Sequence, residues 1–139
     1  MSLYVLDTDS LSLYQHGHPV VVQRMLQQSL KTLATTAITV DEQLTGWYTL
    51  LRKQRSRKQL ARAYDNLIET VVELNQFRLL SFTEAAIDRF EGLRLLKLGV
   101  RTNDLRIAAI ALLNDATVVT RNLADFNRVP GLKVENWAD

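Results

Sequence analysis

Hydrophobic positions along the chain follow two different periods, and the alternation between them predicts the order of its elements. Short runs that are wholly apolar or β-branched are typical of strands buried on both faces of a sheet. Longer segments in which apolar residues recur every three or four positions are typical of helices. The predicted strands cover residues 3–6, 32–39, 77–82, 117–120 and 132–135.

The predicted helices lie between these strands. They cover residues 8–15, 19–30, 40–51, 56–75, 83–96 and 103–113, with a loop or short helix at 121–127. Because most connections between strands are long enough to be helical crossovers, we expect a parallel sheet with helices on both faces. The pattern therefore predicts an α/β fold with three layers, α/β/α, around a mainly parallel sheet of four to five strands.

The most apolar helical segment, residues 101–113, contains neither Pro nor Gly and consists largely of Ile, Leu and Ala. We expect it to form a helix that is buried on more than one side. Thr102 or Asn103 is its predicted N-cap. Asp104 then falls in the first turn, where the helix dipole favours a carboxylate. Capping alone would explain Asp104, so a functional interpretation depends on where the other acids lie.

The composition narrows the class of protein. A chain of 139 residues suits one domain with a sizeable core, and we treat residues 1–139 as a single domain. The absence of cysteine excludes disulfides and thiolate metal sites. Since the chain shows neither a basic leader nor a long apolar run, we expect a cytoplasmic protein without a membrane span. The net charge of +2 is too small to indicate nucleic-acid binding by itself.

Four carboxylates are predicted to meet at one edge of the sheet. Asp7 directly follows the first strand, and Asp125 lies in the loop after the strand at 117–120. Glu42 and Asp104 lie in the first turns of predicted helices, where a dipole or capping role is the alternative explanation. Ligands of open α/β sheets bind beyond the carboxyl ends of the strands. Acids gathered there would repel one another unless a cation such as Mg²⁺ or Mn²⁺ neutralised them.

Two further motifs carry a structural explanation beside a functional one. The histidines of His16-Gly-His-Pro19 lie in a Gly/Pro turn without a third nearby ligand, so we expect exposed loop residues rather than a metal site. Residues 52–58 form the densest basic run of the chain. That run is either a solvated connection between two helices or a patch that contacts nucleic-acid phosphates.

Several segments, taken together and in order, resemble the PIN-domain family, with the nearest resemblance to the VapC-type toxins of bacterial toxin–antitoxin pairs. They span nearly the whole chain. The segments are Val5-Leu-Asp-Thr-Asp9, Ile38-Thr-Val-Asp-Glu42, Asn103-Asp-Leu-Arg-Ile-Ala-Ala109, Val119-Thr-Arg-Asn-Leu-Ala-Asp-Phe126, Val129-Pro-Gly-Leu132 and Glu135-Asn-Trp137. The resemblance implies a PIN-like fold and a metal-dependent endoribonuclease that acts on RNA. It also implies a homodimer and a cognate VapB-type antitoxin whose tail covers the active site.

The resemblance also implies a set of acidic site residues. Asp7, Glu42 and Asp104 occupy the positions of the family's first three acids. Many relatives place the fourth acid directly after Thr-Arg, where this chain has Asn122, and Asp125 is then the residue that supplies the carboxylate. The family usually has Asn where this chain has Asp9. Asp9 either adds charge near the site or caps the first helix, and we favour the cap.

The implied reaction is hydrolysis of an RNA phosphodiester by metal-activated water. Asp7 and Asp104 are expected to be direct metal ligands, with Glu42 and Asp125 binding directly or through water. Further residues are expected to hold a ligand carboxylate, hold a metal-bound water, meet substrate phosphates or pair with the acids. They are Thr120, Asn122, Arg101, Arg106 and Arg121.

Two other classes of protein remain open from the sequence. The first is a catalytically decayed PIN-fold module that only binds RNA, which Asn122 would permit. The second is an acidic-pocket α/β phosphatase-like domain. That class needs a phosphate-binding Lys or Ser/Thr at a later strand end, where Thr120 is present but no Lys stands. Metal-dependent RNA cleavage separates all three.

Overall fold

The computed structural model describes residues 2–139 and places five strands in one sheet. The strands are β1 (Tyr4–Leu6), β2 (Leu33–Thr36), β3 (Arg78–Leu80), β4 (Thr117–Val119) and β5 (Lys133–Glu135). Their order across the sheet is β3-β2-β1-β4-β5, and every neighbouring pair is parallel. The predicted parallel α/β architecture is therefore confirmed.

Helices make every connection between consecutive strands, which is why all of the strands can run in the same direction. They are α1 (Thr8–Gln15), α2 (Pro19–Leu26), α3 (Ala37–Lys53), α4 (Arg57–Leu74), α5 (Glu84–Leu95), α6 (Thr102–Leu113) and α7 (Leu123–Phe126), with a 3₁₀ turn at Leu30–Thr32. Of the helices described between residues 2 and 139, none is long and apolar enough to cross a membrane.

The two faces of the sheet bury different sets of helices. Val5 of β1 belongs to a hydrophobic cluster with residues of α5 and α6, whereas Leu6 belongs to a second cluster with residues of α1, α2 and α4. The same alternation separates Val118 from Val119 in β4. Successive side chains of a strand point to opposite faces, so apolar runs of three residues supply both layers of core. The three-layer arrangement predicted from these runs is confirmed.

Helix α6 is buried on more than one side, as its composition predicts. Six of its residues are buried; they are Leu105, Ile107, Ala108, Ala109, Ile110 and Ala111. Its small alanines allow α5 and the sheet to approach closely on different sides. The burial fixes the direction and depth of the helix, and with them the position of Asp104 in its first turn.

The predicted boundary between the second strand and the following helix was wrong. The strand ends at Thr36 rather than at residue 39, and α3 begins at Ala37. The Thr36 hydroxyl accepts a hydrogen bond from the backbone N–H of Thr39 at 3.3 Å, which caps the helix. That cap outweighs the β propensity of the Ile-Thr pair that follows. Glu42 consequently lies in the second turn of α3 and not in the first.

Two other helix ends also differ from the prediction. Helix α2 ends at Leu26 rather than at residue 30. The N-cap of α6 is Arg101, which makes no side-chain cap bond, so neither Thr102 nor Asn103 is the cap. The absence of a side-chain cap leaves the first backbone N–H groups of α6 free to face an anion.

Phe126 anchors the short helix α7 to the body of the protein, because its side chain is fully buried in the cluster on the α5 and α6 face. We expect Phe126→Ala to lower the free energy of unfolding by about 3–5 kcal/mol through the cavity that it leaves. Leu95→Ala is the control, since Leu95 is 82% exposed and its truncation should change stability by less than about 0.5 kcal/mol. Urea unfolding of both variants measures the difference, and equal midpoints would show that Phe126 is not an anchor.

Candidate metal centre

A polar cavity of about 560 Å³ lies at the carboxyl ends of β1 and β4. Nine residues line it; they are Asp7, Thr8, Asp9, Ser12, Glu42, Arg101, Asp104, Arg121 and Asn122. Three of the four acids predicted to converge are therefore in one cavity, together with Asp9 and Asn122. Asp125 is not among the lining residues.

Asp7 is the most enclosed of these acids, with 5% of its surface exposed. It directly follows β1 and caps α1, because its Oδ1 accepts a hydrogen bond from the Ser10 backbone N–H at 2.8 Å. Burial raises the pKa of Asp7, while the Thr120 hydroxyl and the Ser10 groups act in the opposite direction by stabilising the carboxylate. Asp7 is thus held rigidly, in an environment where its negative charge is poorly compensated.

Asp104 lies in the first turn of α6 and lines the same cavity as Asp7. Burial raises its pKa, and the charge of Arg101 lowers it. The negative charges of Asp7, Glu42 and Asp125 raise it further. Each of the other three predicted acids therefore acts electrostatically on Asp104, even though Asp125 does not line the cavity.

Glu42 reaches the cavity from α3 and is tied to the start of α1. Its Oε1 accepts a hydrogen bond from the Thr8 hydroxyl at 2.7 Å, and the hydroxyls of Thr8 and Thr39 lie 3.0 Å apart. Sequence reasoning missed Thr8 as a site residue, although it stands directly after Asp7 in the first motif. Its hydroxyl fixes the orientation of a carboxylate more than thirty residues away.

Asp125 is held beside the cavity by its own helix. Asn122 is the N-cap of α7, and its Nδ2 donates a hydrogen bond to Asp125 Oδ2 at 2.9 Å. The guanidinium of Arg128 lies 3.3 Å from Asp125 Oδ1. The Thr120 hydroxyl accepts a hydrogen bond from the Asn122 backbone N–H at 2.9 Å, which ties this turn to the end of β4. Asn122 therefore links the cavity to Asp125.

The basic residues proposed for the site fall in different places. Arg121 forms a bidentate ion pair with Asp9, with nitrogen to oxygen distances of 2.8 and 2.9 Å. The prediction that Asp9 caps the first helix was wrong, because Asp7 fills that position and Asp9 faces Arg121 instead. Arg106 donates a hydrogen bond to Asn103 and lies over the Phe90 ring. It forms no ion pair with an acid of the described residues and does not line the cavity.

The donor set of the cavity suits a hard divalent cation. Its acids are oxygen donors, two of them have raised pKa values, and a cation would relieve their mutual repulsion. In the present side-chain positions, no three acidic or histidine side chains between residues 2 and 139 form a ready ligand cluster. Oxygens of Asp7, Glu42 and Asp125 instead accept hydrogen bonds from protein donors. Joint binding of one ion by three of these acids would therefore require side chains other than the rigidly held Asp7 to turn towards the ion.

The two histidines act at helix ends. His16 contacts the Ser12 carbonyl oxygen through Nδ1 at 2.7 Å, and the His18 Nδ1 accepts from the Val21 backbone N–H at 3.3 Å as the N-cap of α2. His16 is exposed, as expected, whereas His18 is half-buried. The capping role of His18 was not foreseen.

The PIN domain family model matches residues 4–132. The chain is 34% identical over 140 residues to the plasmid stability protein StbB of Pseudomonas syringae pv. tomato, covering 96% of this chain and 97% of that protein. It is 28% identical over 141 residues to ribonuclease VapC2 of Rickettsia felis, covering 97% of this chain and 98% of that protein. A chain in the crystal structure of VapBC2 from Rickettsia felis bound to a promoter DNA fragment superposes on this protein with a TM-score of 0.72 and 26% identity. The match covers 97% of this chain and 98% of that chain.

The raised pKa of Asp104 predicts a stability effect with a definite sign. Because the ionised side chain is less favourable in the folded state than in the unfolded state, it destabilises the protein above the folded-state pKa, and this penalty disappears as the pH falls below the unfolded-state pKa. We expect Asp104→Asn to raise, or leave unchanged, the Tm of the metal-free protein at pH 7, with no gain at strongly acid pH. Calorimetry in EDTA measures this.

The exposed residue Asp88 of α5 provides the matched control. Asp88→Asn removes the same charge at a distance from the cavity and should leave Tm unchanged at either pH. A marked fall in the Tm of Asp104→Asn would show instead that this carboxylate is a structural cap.

Proposed function

The chain belongs to the PIN-domain family, and on that premise we propose that it is the toxin of a type II toxin–antitoxin pair and acts as a metal-dependent endoribonuclease. The observation that carries the proposal is the convergence of Asp7, Glu42 and Asp104 on one cavity at the carboxyl edge of the sheet. The full-length similarity to a ribonuclease VapC2 supports the same reaction class. Because the proposed substrate is RNA, we expect the protein to act in the cytoplasm.

We propose Mg²⁺ or Mn²⁺ as the cofactor, held directly by Asp7 and Asp104. Glu42 and Asp125 would bind directly or through water. Burial, together with repulsion by the neighbouring acids, raises the pKa of Asp104, and a divalent cation would offset that repulsion, which supports this assignment. When bound, such an ion lowers the pKa of water and balances negative charge on a phosphodiester.

The side chains of the cavity then have separate tasks. Thr120 and the Ser10 N–H favour the ionised form of Asp7 against the effect of burial, and they orient its carboxylate. Glu42, which accepts a hydrogen bond from Thr8 at one oxygen, would orient the attacking water through the other oxygen. Arg101 lines the cavity and is the basic side chain that can meet the substrate phosphate there. The water oxygen bonds to phosphorus, the bond to the leaving ribose oxygen breaks, and that oxygen takes up a proton.

We further propose a cognate VapB-type antitoxin as partner and a homodimer as the assembled state. The similar Rickettsia felis structure is a VapBC complex, which supports the antitoxin. One face of α4 also exposes large apolar side chains at helical spacing, as surfaces that bind other proteins do. These side chains are Leu60, Tyr64, Ile68, Val71 and Val72. Co-expression with the neighbouring reading frame and purification of the pair tests this assembly.

The first prediction of the proposal is metal-dependent cleavage of RNA by the purified chain. EDTA should abolish cleavage, and Mg²⁺ or Mn²⁺ should restore it. Asp104→Asn should lower the rate by more than about 100-fold, because even partners that only orient metal ligands are worth about 10–100-fold. Asp88→Asn should cleave at the wild-type rate. Sequencing of RNA ends gives the readout, and RNA binding without cleavage in the presence of Mg²⁺ or Mn²⁺ would identify a decayed module that only binds RNA.

A second prediction separates the roles of Asp125 and Asn122. Asp125→Ala removes a negative charge that acts on Asp104, whereas Asn122→Ala removes only a neutral amide that orients Asp125. We therefore expect Asp125→Ala to lose more activity than Asn122→Ala. Titration with Mn²⁺ in the absence of RNA should show one tight site, with any second site weak. Full activity of Asp125→Ala, or two equally tight sites, would contradict the assignment.

A further inference from the structure

The tip of the α3–α4 hairpin carries a concentrated positive charge. We define the basic tip as the six side chains Arg52, Lys53, Arg55, Arg57, Lys58 and Arg62. No acidic residue occurs between Glu42 and Asp65. The whole chain has 17 basic and 15 acidic side chains, so the remainder has 11 basic against 15 acidic and is net negative. The small overall charge thus conceals a strong separation of charge.

Ion pairing does not explain this cluster, and helix stability explains only Arg52 and Lys53, which lie in the last turn of α3, where the helix dipole favours basic residues. All six side chains are exposed, and none forms a salt bridge within the described part of the chain. Arg57 and Lys58 stand in the first turn of α4, where the positive end of the helix dipole disfavours them. Their mutual repulsion adds to that penalty. A solvated connection would be satisfied by neutral polar residues, so the charges point to an anionic ligand.

A continuous groove joins the basic tip to the acidic cavity. The cavity at the metal centre shares Thr8, Ser12 and Glu42 with a second cavity of about 530 Å³ between α1, α3 and α4. A third, of about 240 Å³, shares Trp47 and other residues with the second and extends to Arg62. Along α3 the distance from Glu42 to Arg52 is about 15 Å at the rise of an α-helix. At about 3.4 Å per stacked nucleotide, that distance is about four nucleotides.

The lining of the groove restricts where a phosphate chain can bind. Glu69 and Glu73 lie at its inner end and repel phosphates there. The outer end is lined by the neutral side chains of Trp47, Gln54 and Gln59, followed by Arg62. Outside the acidic cavity, the groove therefore stabilises phosphates only at the tip, while an aromatic ring and amides in the groove can contact bases.

We propose that the basic tip binds the backbone of the RNA substrate about four nucleotides from the scissile phosphate. The proposal rests on the proposed ribonuclease function. It assigns the basic run at residues 52–58 to contacts with phosphates rather than to a solvated connection. Binding there supplies affinity without sequence specificity, because Lys and Arg contacts to phosphates do not read bases. The tip lies outside the cavity, so it positions the substrate and takes no part in the reaction.

The test is the salt dependence of RNA binding in EDTA, where cleavage is prevented. The probe is a fluorescein-labelled oligouridylate, followed by anisotropy. The variant Arg55→Gln/Arg57→Gln/Lys58→Gln removes three charges from the tip. Each lost phosphate contact reduces the slope of log affinity against log salt by about 0.7 for a single strand, so the expected reduction is about 2.

A control variant removes the same net charge elsewhere. Lys31→Gln/Arg78→Gln/Arg89→Gln changes three exposed basic residues that lie outside the groove and should keep the wild-type slope. Equal slopes for the tip variant and the control overturn the proposal. Polyglutamate is a second probe, which stands for an acidic protein partner. If the tip variant keeps its RNA binding but loses binding to polyglutamate, the proposal is also overturned, because the tip would then serve such a partner.

Kinetics with Mn²⁺ separate this proposal from the proposed function. The tip variant should show a raised KM and an unchanged kcat on long RNA, with no change in KM on substrates too short to reach the tip. A lower kcat in the tip variant than in the wild-type protein would assign the tip to the reaction and overturn the positioning role. Failure of the wild-type chain to cleave RNA, with the expected loss of slope in EDTA, would overturn the ribonuclease function alone and leave the tip as an RNA-binding surface.

Discussion

Parallel pairing of the strands is the constraint on which the rest of this structure depends. A parallel strand cannot follow its neighbour through a tight turn, so every connection must carry the chain back across the sheet through a helix. All of the strand ends that lead into those helices therefore lie along one edge. Asp7 leaves β1 at that edge, and Asp104 begins a helix that is buried deeply enough to hold it there. The acidic cavity is a consequence of chain direction as much as of the acids themselves.

The cavity combines rigid support with an unfavourable charge distribution. Backbone and hydroxyl donors satisfy the acids individually, through Ser10 for Asp7 and Thr8 for Glu42. They do not supply the net positive charge that would balance four carboxylates. Arg121 is already paired with Asp9, which leaves Arg101 as the basic group acting on Asp104. Such a site keeps its individual hydrogen bonds and would still be stabilised by a cation, which is the combination that the proposed metal-dependent reaction requires.

The sequence predicted those parts of the site that depend on local pattern. A short apolar run placed Asp7 correctly at a strand end, and a strongly apolar helix placed Asp104 correctly in a first turn. Glu42 was displaced by one turn in the prediction, because a hydroxyl cap at Thr36 decides where α3 begins and β-branched residues obscure it. The ion pair of Asp9 with Arg121 spans more than a hundred residues, and no local pattern reports such a contact.

Arg128 links Asp125 to the turn that precedes α6. One of its nitrogens donates to the Gly99 carbonyl oxygen at 3.2 Å and also lies 3.3 Å from Asp125 Oδ1. Direct binding of the proposed ion at Asp125 Oδ1 would therefore compete with a guanidinium that also holds the turn before α6. Asp125 and the segment that precedes Asp104 are thus joined through one side chain, that of Arg128.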